Sequence, residues 1–504
     1  MLLPLLAALP LAAPVQQVCG HTPALPTPQH YAHSFQIIDN PTLTNNPGNP
    51  AFAEYSFFGA STAIGDFDGD GNMDLAVGAP GNSASPSNIG GRVFVFWADA
   101  NGVDASNYTE IRSPGQLPGD LFGSHLLRGP RAPLSLNRDT LIVSAPNKDE
   151  GGINTGAVYV VDMAAPQLMT KISPPDFQAN MAFGSALELG DVDHDSIPDI
   201  VIGARGARLT ANSLAYGFVF VYSMMDLVTP SVCLINPDFR NPGNSGNENF
   251  GKELVLQRVG GQVFGLLVTA VGNSDLLQSN GGAAFRFLAP ITPSSVPISR
   301  LYSPIASDDI DGIRRYGMSM SASSCGRDFV ISAPRHDMFD SGGASQHTSG
   351  MAVWYSPPRP PPGSNGAMQV SVLYRVLDRE DVPGDAIEQS QYYGFMSAFG
   401  DIAGAVGSQD DLFLVSLGAS TVSNDRIFIY DGDHPGAVPH SFEPAPGSSS
   451  HFAQYPVTGQ LGLPDTLRLD QVILSDSYWG PPSGNLDART GRVVILTFDE
   501  SQAL

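Results

Sequence analysis

Cationic side chains are scarce in this sequence: 25 Lys and Arg stand against 49 Asp and Glu, a formal net charge of −24. That balance excludes a nucleic acid or other polyanion as partner, because such ligands are held by basic stripes and none is visible. Cysteine is nearly absent, with Cys19, Cys233 and Cys325 alone, too few for a disulfide framework. A Cys233–Cys325 bridge and a pair of small buried thiols both stand open on the sequence. Long apolar runs are missing except at the start, MLLPLLAALPLAAPV. That run is too short to span a bilayer and ends in small residues, as a signal-peptide core does. We assign residues 1–16 to a signal peptide and 17–33 to a linker, with no membrane helix after them. A secreted, extracellular or cell-surface location is therefore expected. Catalytic signatures are missing too: there is no Gly-x-Ser-x-Gly elbow, His-Glu-x-x-His pair, Walker loop or dinucleotide fingerprint. No enzyme class is indicated.

What is abundant is Gly (54) and Pro (42), without a collagen-like period, which suits a turn-rich all-β chain. An aromatic-Gly pair recurs at Phe58-Gly59, Phe122-Gly123, Phe183-Gly184, Phe250-Gly251, Tyr316-Gly317 and Tyr393-Gly394, then as Phe452-Ala453. About twenty residues later each unit carries an apolar run ending in small residues. Leu75-Ala76-Val77-Gly78-Ala79-Pro80 and Ile200-Val201-Ile202-Gly203-Ala204 are examples. A third strand follows a Gly-rich turn, as in Arg92-Val93-Phe94-Val95-Phe96, and a more polar fourth precedes the next pair. Four short strands per unit, repeated, is the grammar of a propeller blade. The apolar runs are expected innermost, flanked by neighbouring blades on both faces.

Phe-Gly followed by Gly-Ala-Pro, with DxDxDG between them, resembles the FG-GAP repeat of integrin α-chain propellers and related exported proteins. The family implies seven blades, and seven units are counted here independently. The expected fold is all-β: a single seven-bladed β-propeller of four-stranded antiparallel blades across residues 34–500. The blades fall at about 57–113, 121–172, 182–235, 249–302, 315–377, 392–443 and 451–499. Ser34-Phe35-Gln36-Ile37-Ile38-Asp39 resembles a fourth strand with no unit before it. It is expected to close the ring by completing blade seven, with Phe35 and Ile37 buried.

Two loops carry chemistry. Asp66, Asp68, Asp70 and Asp74 stand at positions one, three, five and nine of the first, as do Asp191, Asp193, Asp195 and Asp199 in the second. Alternating residues of a tight loop turn their oxygens inward, and position seven (Asn72, Ile197) offers a backbone carbonyl. Calcium, which takes six to eight hard oxygens, fits this spacing better than magnesium. Neither loop has a Glu at position twelve and each leads into a strand, so two structural Ca2+ sites in β-hairpins are expected. The plainer alternative is an acidic surface turn of Asx-type caps. Equivalent loops in units two, four and five have lost their acids, and in unit six Asp401, Asp410 and Asp411 are too widely spaced. His336 and His347, near Asp337 and Asp340, read as solvated loop residues. The Pro357–Pro362 strip reads as a stiff connector, and Asn107-Tyr108-Thr109 is a glycosylation sequon.

The function expected from the resemblance is a calcium-binding, adhesion-type module, a monomer presenting loops to an extracellular protein or glycan. Two other readings stand beside it. One is a hydrolase related to propeller-bearing phospholipase D that uses the propeller face, and the other a purely structural surface component. Ligand recognition is expected opposite the calcium hairpins, with the insertions at residues 147–154 and 335–349 as candidates.

Overall fold

The computed structural model describes residues 32–42, 56–81, 90–115, 117–131, 137–210, 213–238, 248–259, 261–272, 281–304, 315–324, 328–336, 338–339, 345–346, 349–356, 373–378, 392–400, 410–416, 426–432, 439–442, 454–459, 461, 471–476 and 491–499. The chain enters through β1 (Ala32–Asp39). Blade one holds β2 (Ser61–Gly65), β3 (Asp74–Ala79), β4 (Arg92–Asp99) and β5 (Gly102–Arg112). Blade two holds β6 (Leu126–Gly129), β7 (Thr140–Ala145), β8 (Ala157–Val161) and β9 (Met169–Ile172). Blade three holds β10 (Phe183–Gly190), β11 (Asp199–Ala204), β12 (Phe218–Ser223) and β13 (Val232–Ile235). Blade four holds β14 (Phe250–Val259), β15 (Gln262–Ala270), β16 (Ala283–Leu288) and β17 (Ser299–Leu301). Blade five holds β18 (Met320–Ala322), β19 (Phe329–Ala333), β22 (Met351–Ser356) and β23 (Leu373–Leu377), with an inserted ribbon of β20 (Met338–Phe339) and β21 (Ser345–Gln346). Blade six holds β24 (Tyr393–Gly400), β25 (Asp411–Ser416), β26 (Arg426–Tyr430) and β27 (His440–Phe442). Blade seven holds β28 (Gln454–Gly459), β29 (Gln471–Asp476) and β30 (Arg492–Asp499), and β1 is its outer strand.

These seven four-stranded antiparallel sheets form a seven-bladed β-propeller. The first strands touch in a closed cycle, β2 to β6, β10, β14, β18, β24, β28 and back to β2, so they surround the axis. The inner strands of blades three to seven line a cavity of about 520 Å³ that includes Glu188, Arg258, Ser324, Phe399 and Thr458. The apolar runs thus lie one strand out from the axis rather than innermost. β3, β7 and β11 are buried along their whole length because sheets cover both their faces. The outer β5 meets water and is mostly exposed or half-buried.

The aromatic-Gly pair is an inter-blade clasp. Phe122 bridges Gly91 of the preceding blade, Phe183 bridges Gly156, Tyr393 bridges Gly350, and Phe58 bridges Gly491 across the seam. The approach is close enough to demand glycine: a Cβ on Gly156 would lie 2.2 Å from the Phe183 carbonyl oxygen. The rings pack edge-on within their own blade, Phe58 on Phe94 at 5.6 Å and Phe250 on Phe285 at 5.7 Å. In blades five and six the aromatic is Tyr, and a Tyr on the third strand meets its hydroxyl (Tyr316 with Tyr355, Tyr393 with Tyr430). Buried phenols need a partner, and each of these pairs supplies its own; in blade three, where the first aromatic is Phe183, the third-strand Tyr222 donates to the Ser173 carbonyl at 2.9 Å instead. Leu121, Ala182 and Arg315, just before the aromatic, sit at positive φ of 52 to 58°. That left-handed kink costs each about 1–2 kcal/mol and turns the aromatic inward.

The ring closes as expected, with β1 paired to β30 in unbroken antiparallel register from Ala32↔Asp499 to Asp39↔Arg492. One detail differs. Ile38 is fully buried among residues of blades one and seven, whereas Ile37 is 42% exposed. Phe35 packs half-buried against Phe413 and its neighbours. The outer strand sits between two adjacent sheets, so its anchors alternate between them rather than lining one face.

Candidate metal centres

Both acidic loops join the first and second strands of a blade, β2 to β3 and β10 to β11, and three of their internal hydrogen bonds match position for position. The position-two amide donates to the position-nine carboxylate: Phe67 N to Asp74 Oδ2 at 2.9 Å, Val192 N to Asp199 Oδ2 at 3.0 Å. The position-five amide donates to position three, at 3.0 Å in one loop and 3.1 Å in the other (Asp70 N to Asp68, Asp195 N to Asp193). The position-seven amide donates to position five at 2.7 Å in both (Asn72 N to Asp70, Ile197 N to Asp195). Phe67 and Val192, fully buried, plug each loop onto the core. Positions four and six are left-handed in both: Gly69 and Gly71 in the first, His194 (φ 67°) and Ser196 (φ 71°) in the second. Two side chains thus accept a backbone that disfavours them, which points to a constraint from the loop's contents.

The expected ligands gather in two triads. Oxygens of Asp66, Asp68 and Asp74 lie within 4.8 Å of one another, as do those of Asp191, Asp193 and Asp195. Asp70 stands outside the first triad, bonded to the amide and side chain of Asn72. Asp199 stands outside the second. Among the described residues no third acidic cluster joins them. In unit six Asp410 is bonded to Ser324, Asp411 takes the Gly432 amide at 3.0 Å, and Asp401 lies outside the described residues.

Electrostatics within the loops are unfavourable as they stand. Burial, and then the neighbouring carboxylates, push Asp74 and Asp199 up to about 7. Burial likewise raises Asp68 and Asp193. Asn72 Oδ1, Asp191 Oδ1 and Asp199 Oδ1 are buried with no hydrogen-bond partner. Buried acceptors without donors, beside carboxylates that repel one another, are the complement of a hard cation. Both loops fit a divalent ion, held by Asp66, Asp68 and Asp74 in one and by Asp191, Asp193 and Asp195 in the other.

One partner of the first loop was missed from the sequence. Asp139 of blade two lies just outside the stretch whose acids seemed lost. Its carboxylate accepts the Asp66 amide at 2.8 Å, and its amide donates to the Asp66 carbonyl at 2.8 Å. Arg131 bridges the two acids, with Nη2 2.7 Å from Asp66 and Nε 3.1 Å from Asp139. In the second loop the links to the next blade are His194 Nε2 with the Val263 carbonyl, at 2.6 Å, and the Ile291 amide, which donates to the Val192 carbonyl at 2.8 Å.

Other expectations fare unevenly. His336 is fully buried rather than solvated, its Nε2 3.1 Å from Ser303 Oγ, because it sits at the base of the β19–β22 connection, where its carbonyl accepts the Gly350 amide at 2.9 Å. Cys233 is a free thiol on β13. Cys325, Asp337, Asp340, His347, Phe452, Ala453, the Pro357–Pro362 strip and residues 1–31 lie outside the described residues. Among the described residues no helix is long and apolar enough to cross a membrane.

The family model for the FG-GAP repeat matches residues 58–96 and 183–222, the two blades that hold the acidic loops. The chain carries FG-GAP repeats. It is 31% identical to integrin alpha-IIb of Mus musculus over 198 residues, 37% of this chain and 18% of that protein. Against integrin alpha-PS3 of Drosophila melanogaster it is 30% identical over 239 residues, 45% of this chain and 19% of that one. The chain thus spans less than a fifth of the length of these relatives. A crystal structure of Saccharomyces cerevisiae Sqt1 overlays with a TM-score of 0.48 at 8% identity, covering 89% of this chain and 97% of that one.

Proposed function

We propose that this FG-GAP propeller is an exported, calcium-stabilised binding module of the adhesion type, with no catalytic role of its own. It would present one face to an extracellular protein or glycan. In an antiparallel blade the first-to-second hairpins leave at one end and the second-to-third loops at the other. The insertion at residues 147–154 joins second and third strands, so it leaves opposite the acidic hairpins, and the strands that flank residues 335–349 are likewise second and third. The observation that carries the reading is a group of exposed apolar side chains on that face: Ile153 (67% exposed), Phe177 (50%), Leu209 (41%) and Leu214 (46%). Their segments are tied together, Asn180 N to the Ile153 carbonyl and Arg208 N to Gln178 Oε1, both at 2.7 Å. Exposed apolar groups on a rigid frame are what a partner's hot spots dock against. The base of the 147–154 insertion is fixed by the buried Lys148–Asp120 ion pair at 2.7 Å.

Calcium supports this role by holding blades one and three in shape, and the apolar Met1–Val15 run supports export. The test is capture of surface components from the protein's native source by wild type and by a chain with residues 147–154 replaced by a short Gly-Ser turn. Specific capture that the replacement abolishes is expected. Capture that survives replacement of both insertions would refute this choice of face.

A further inference from the structure

We propose that Arg131 makes the two cation loops inequivalent, acting as a built-in guanidinium competitor that weakens the 66–74 loop while the 191–199 loop stays tight. The inference rests on the reading of both loops as calcium sites.

In the first loop a ligand carboxylate already has a cation. Arg131 Nη2 lies 2.7 Å from Asp66 Oδ2, and the Gly69 amide donates to Asp66 Oδ1 at 2.8 Å. The guanidinium cannot simply swing away, because its Nε donates to Asp139 Oδ1 at 3.1 Å. Asp139 is itself fixed by Arg128 Nε at 2.7 Å and by the Asp66 amide at 2.8 Å. A divalent ion entering this loop must therefore take Asp66 from a guanidinium or share it against like-charge repulsion. The Arg131 side chain is 44% exposed, so water screens that repulsion without abolishing it.

Among the described residues the second loop has no such competitor. Asp191 Oδ2 takes the Ser196 amide at 3.0 Å, and Asp191 Oδ1 is buried with no hydrogen-bond partner among the described residues. The arginine reaching over from blade four, Arg258, is engaged by Glu188 and by the Leu189 carbonyl instead. The loop's contacts to blade four are uncharged: the Val263 carbonyl, through His194, and the Ile291 amide on the Val192 carbonyl. Calcium would thus fill blade three first. Filling blade one would loosen the Arg131 bridge to blade two, making that seam responsive to calcium.

Calorimetric titration of the full chain with calcium tests this, using wild type, Asp68→Ala, Asp193→Ala, Arg131→Gln and Arg131→Lys. Wild type should show two classes of site, with Asp193→Ala removing the tight one and Asp68→Ala the weak one. Arg131→Gln should tighten the weak class roughly tenfold and leave the tight class unchanged, while Arg131→Lys, which keeps the charge, should stay near wild type. Melting curves give a second readout: Arg131→Gln should melt lower than wild type in chelator and gain more from added calcium. Equal affinities in the two loops, or a weak class that Arg131→Gln does not move, would overturn the proposal. No calcium binding by wild type at all would overturn the cation reading itself and this proposal with it.

Discussion

Removing β1 should open the ring. The strand pairs with β30 over the whole stretch from Ala32↔Asp499 to Asp39↔Arg492. An antiparallel register of that length carries roughly four to eight backbone hydrogen bonds, each worth about 1 kcal/mol net. Ile38 is fully buried against blades one and seven, and Phe35 half-buried, together adding about 2–4 kcal/mol of apolar burial. Asn40 anchors the strand's end, fully buried and donating to Ser56 Oγ at 2.7 Å. The total of about 6–12 kcal/mol matches the whole stability of a typical domain. Deleting residues through Asn40 would also expose β30 as an unpaired edge, a template for aggregation. The comparison is a chain truncated after Pro28, which keeps β1. Thermal unfolding in calcium, followed by circular dichroism and size-exclusion chromatography, should show the Pro28 truncation near wild type. The longer truncation should aggregate or lose its cooperative transition. Equal melting of the two would refute the closure energetics.

Asp68→Ala and Asp193→Ala should each lower the melting temperature in calcium and flatten its response to chelator, since saturation a hundredfold above Kd contributes about 2.7 kcal/mol; calorimetry at fixed calcium checks this. In chelator the protein should be more stable near pH 5 than near pH 8. Asp74 and Asp199 titrate near 7 in the fold instead of 3.8, so their contribution is complete below about 4 and is lost as pH rises through 7. Calcium should abolish that loss, and denaturant melts across the pH range with and without the ion read both limbs. Gly156→Ala should cost more than 2 kcal/mol by urea unfolding, because its Cβ would meet the Phe183 carbonyl oxygen at 2.2 Å and its φ is +93°. Lys148→Met should cost about 3–5 kcal/mol, leaving Asp120 buried and unpaired in the same assay.

The sequence disclosed the blades because their packing is periodic. An aromatic-Gly pair, an apolar run and a Gly-led third strand must recur wherever one sheet is pressed against the next. The order of strands from the axis was not disclosed. Hydrophobicity marks the strand most completely covered: β3 is buried along its whole length between neighbouring sheets, while the first strands meet one another around the axis. The same logic misplaced the anchor of β1: alternation along a strand predicts one buried face, but a strand wedged between two blades buries Phe35 on one neighbour and Ile38 on another.

The acidic loops were legible for a different reason. Their donors are contiguous, so spacing alone places Asp66, Asp68 and Asp74 together, and likewise Asp191, Asp193 and Asp195. What spacing cannot carry is the charge brought in by the next blade. Asp66 and Asp139 stand 73 residues apart, and nothing local to either announces Arg131 between them. That contact exists only because the ring sets the first hairpin of one blade against the second blade's own hairpin. The repeat gives the two loops three internal hydrogen bonds in common. The seam makes them chemically unlike, with a guanidinium at one and an uncharged carbonyl at the other. In this propeller, then, motif matching finds the clustered acids, but the charge beside each loop is set across a blade boundary.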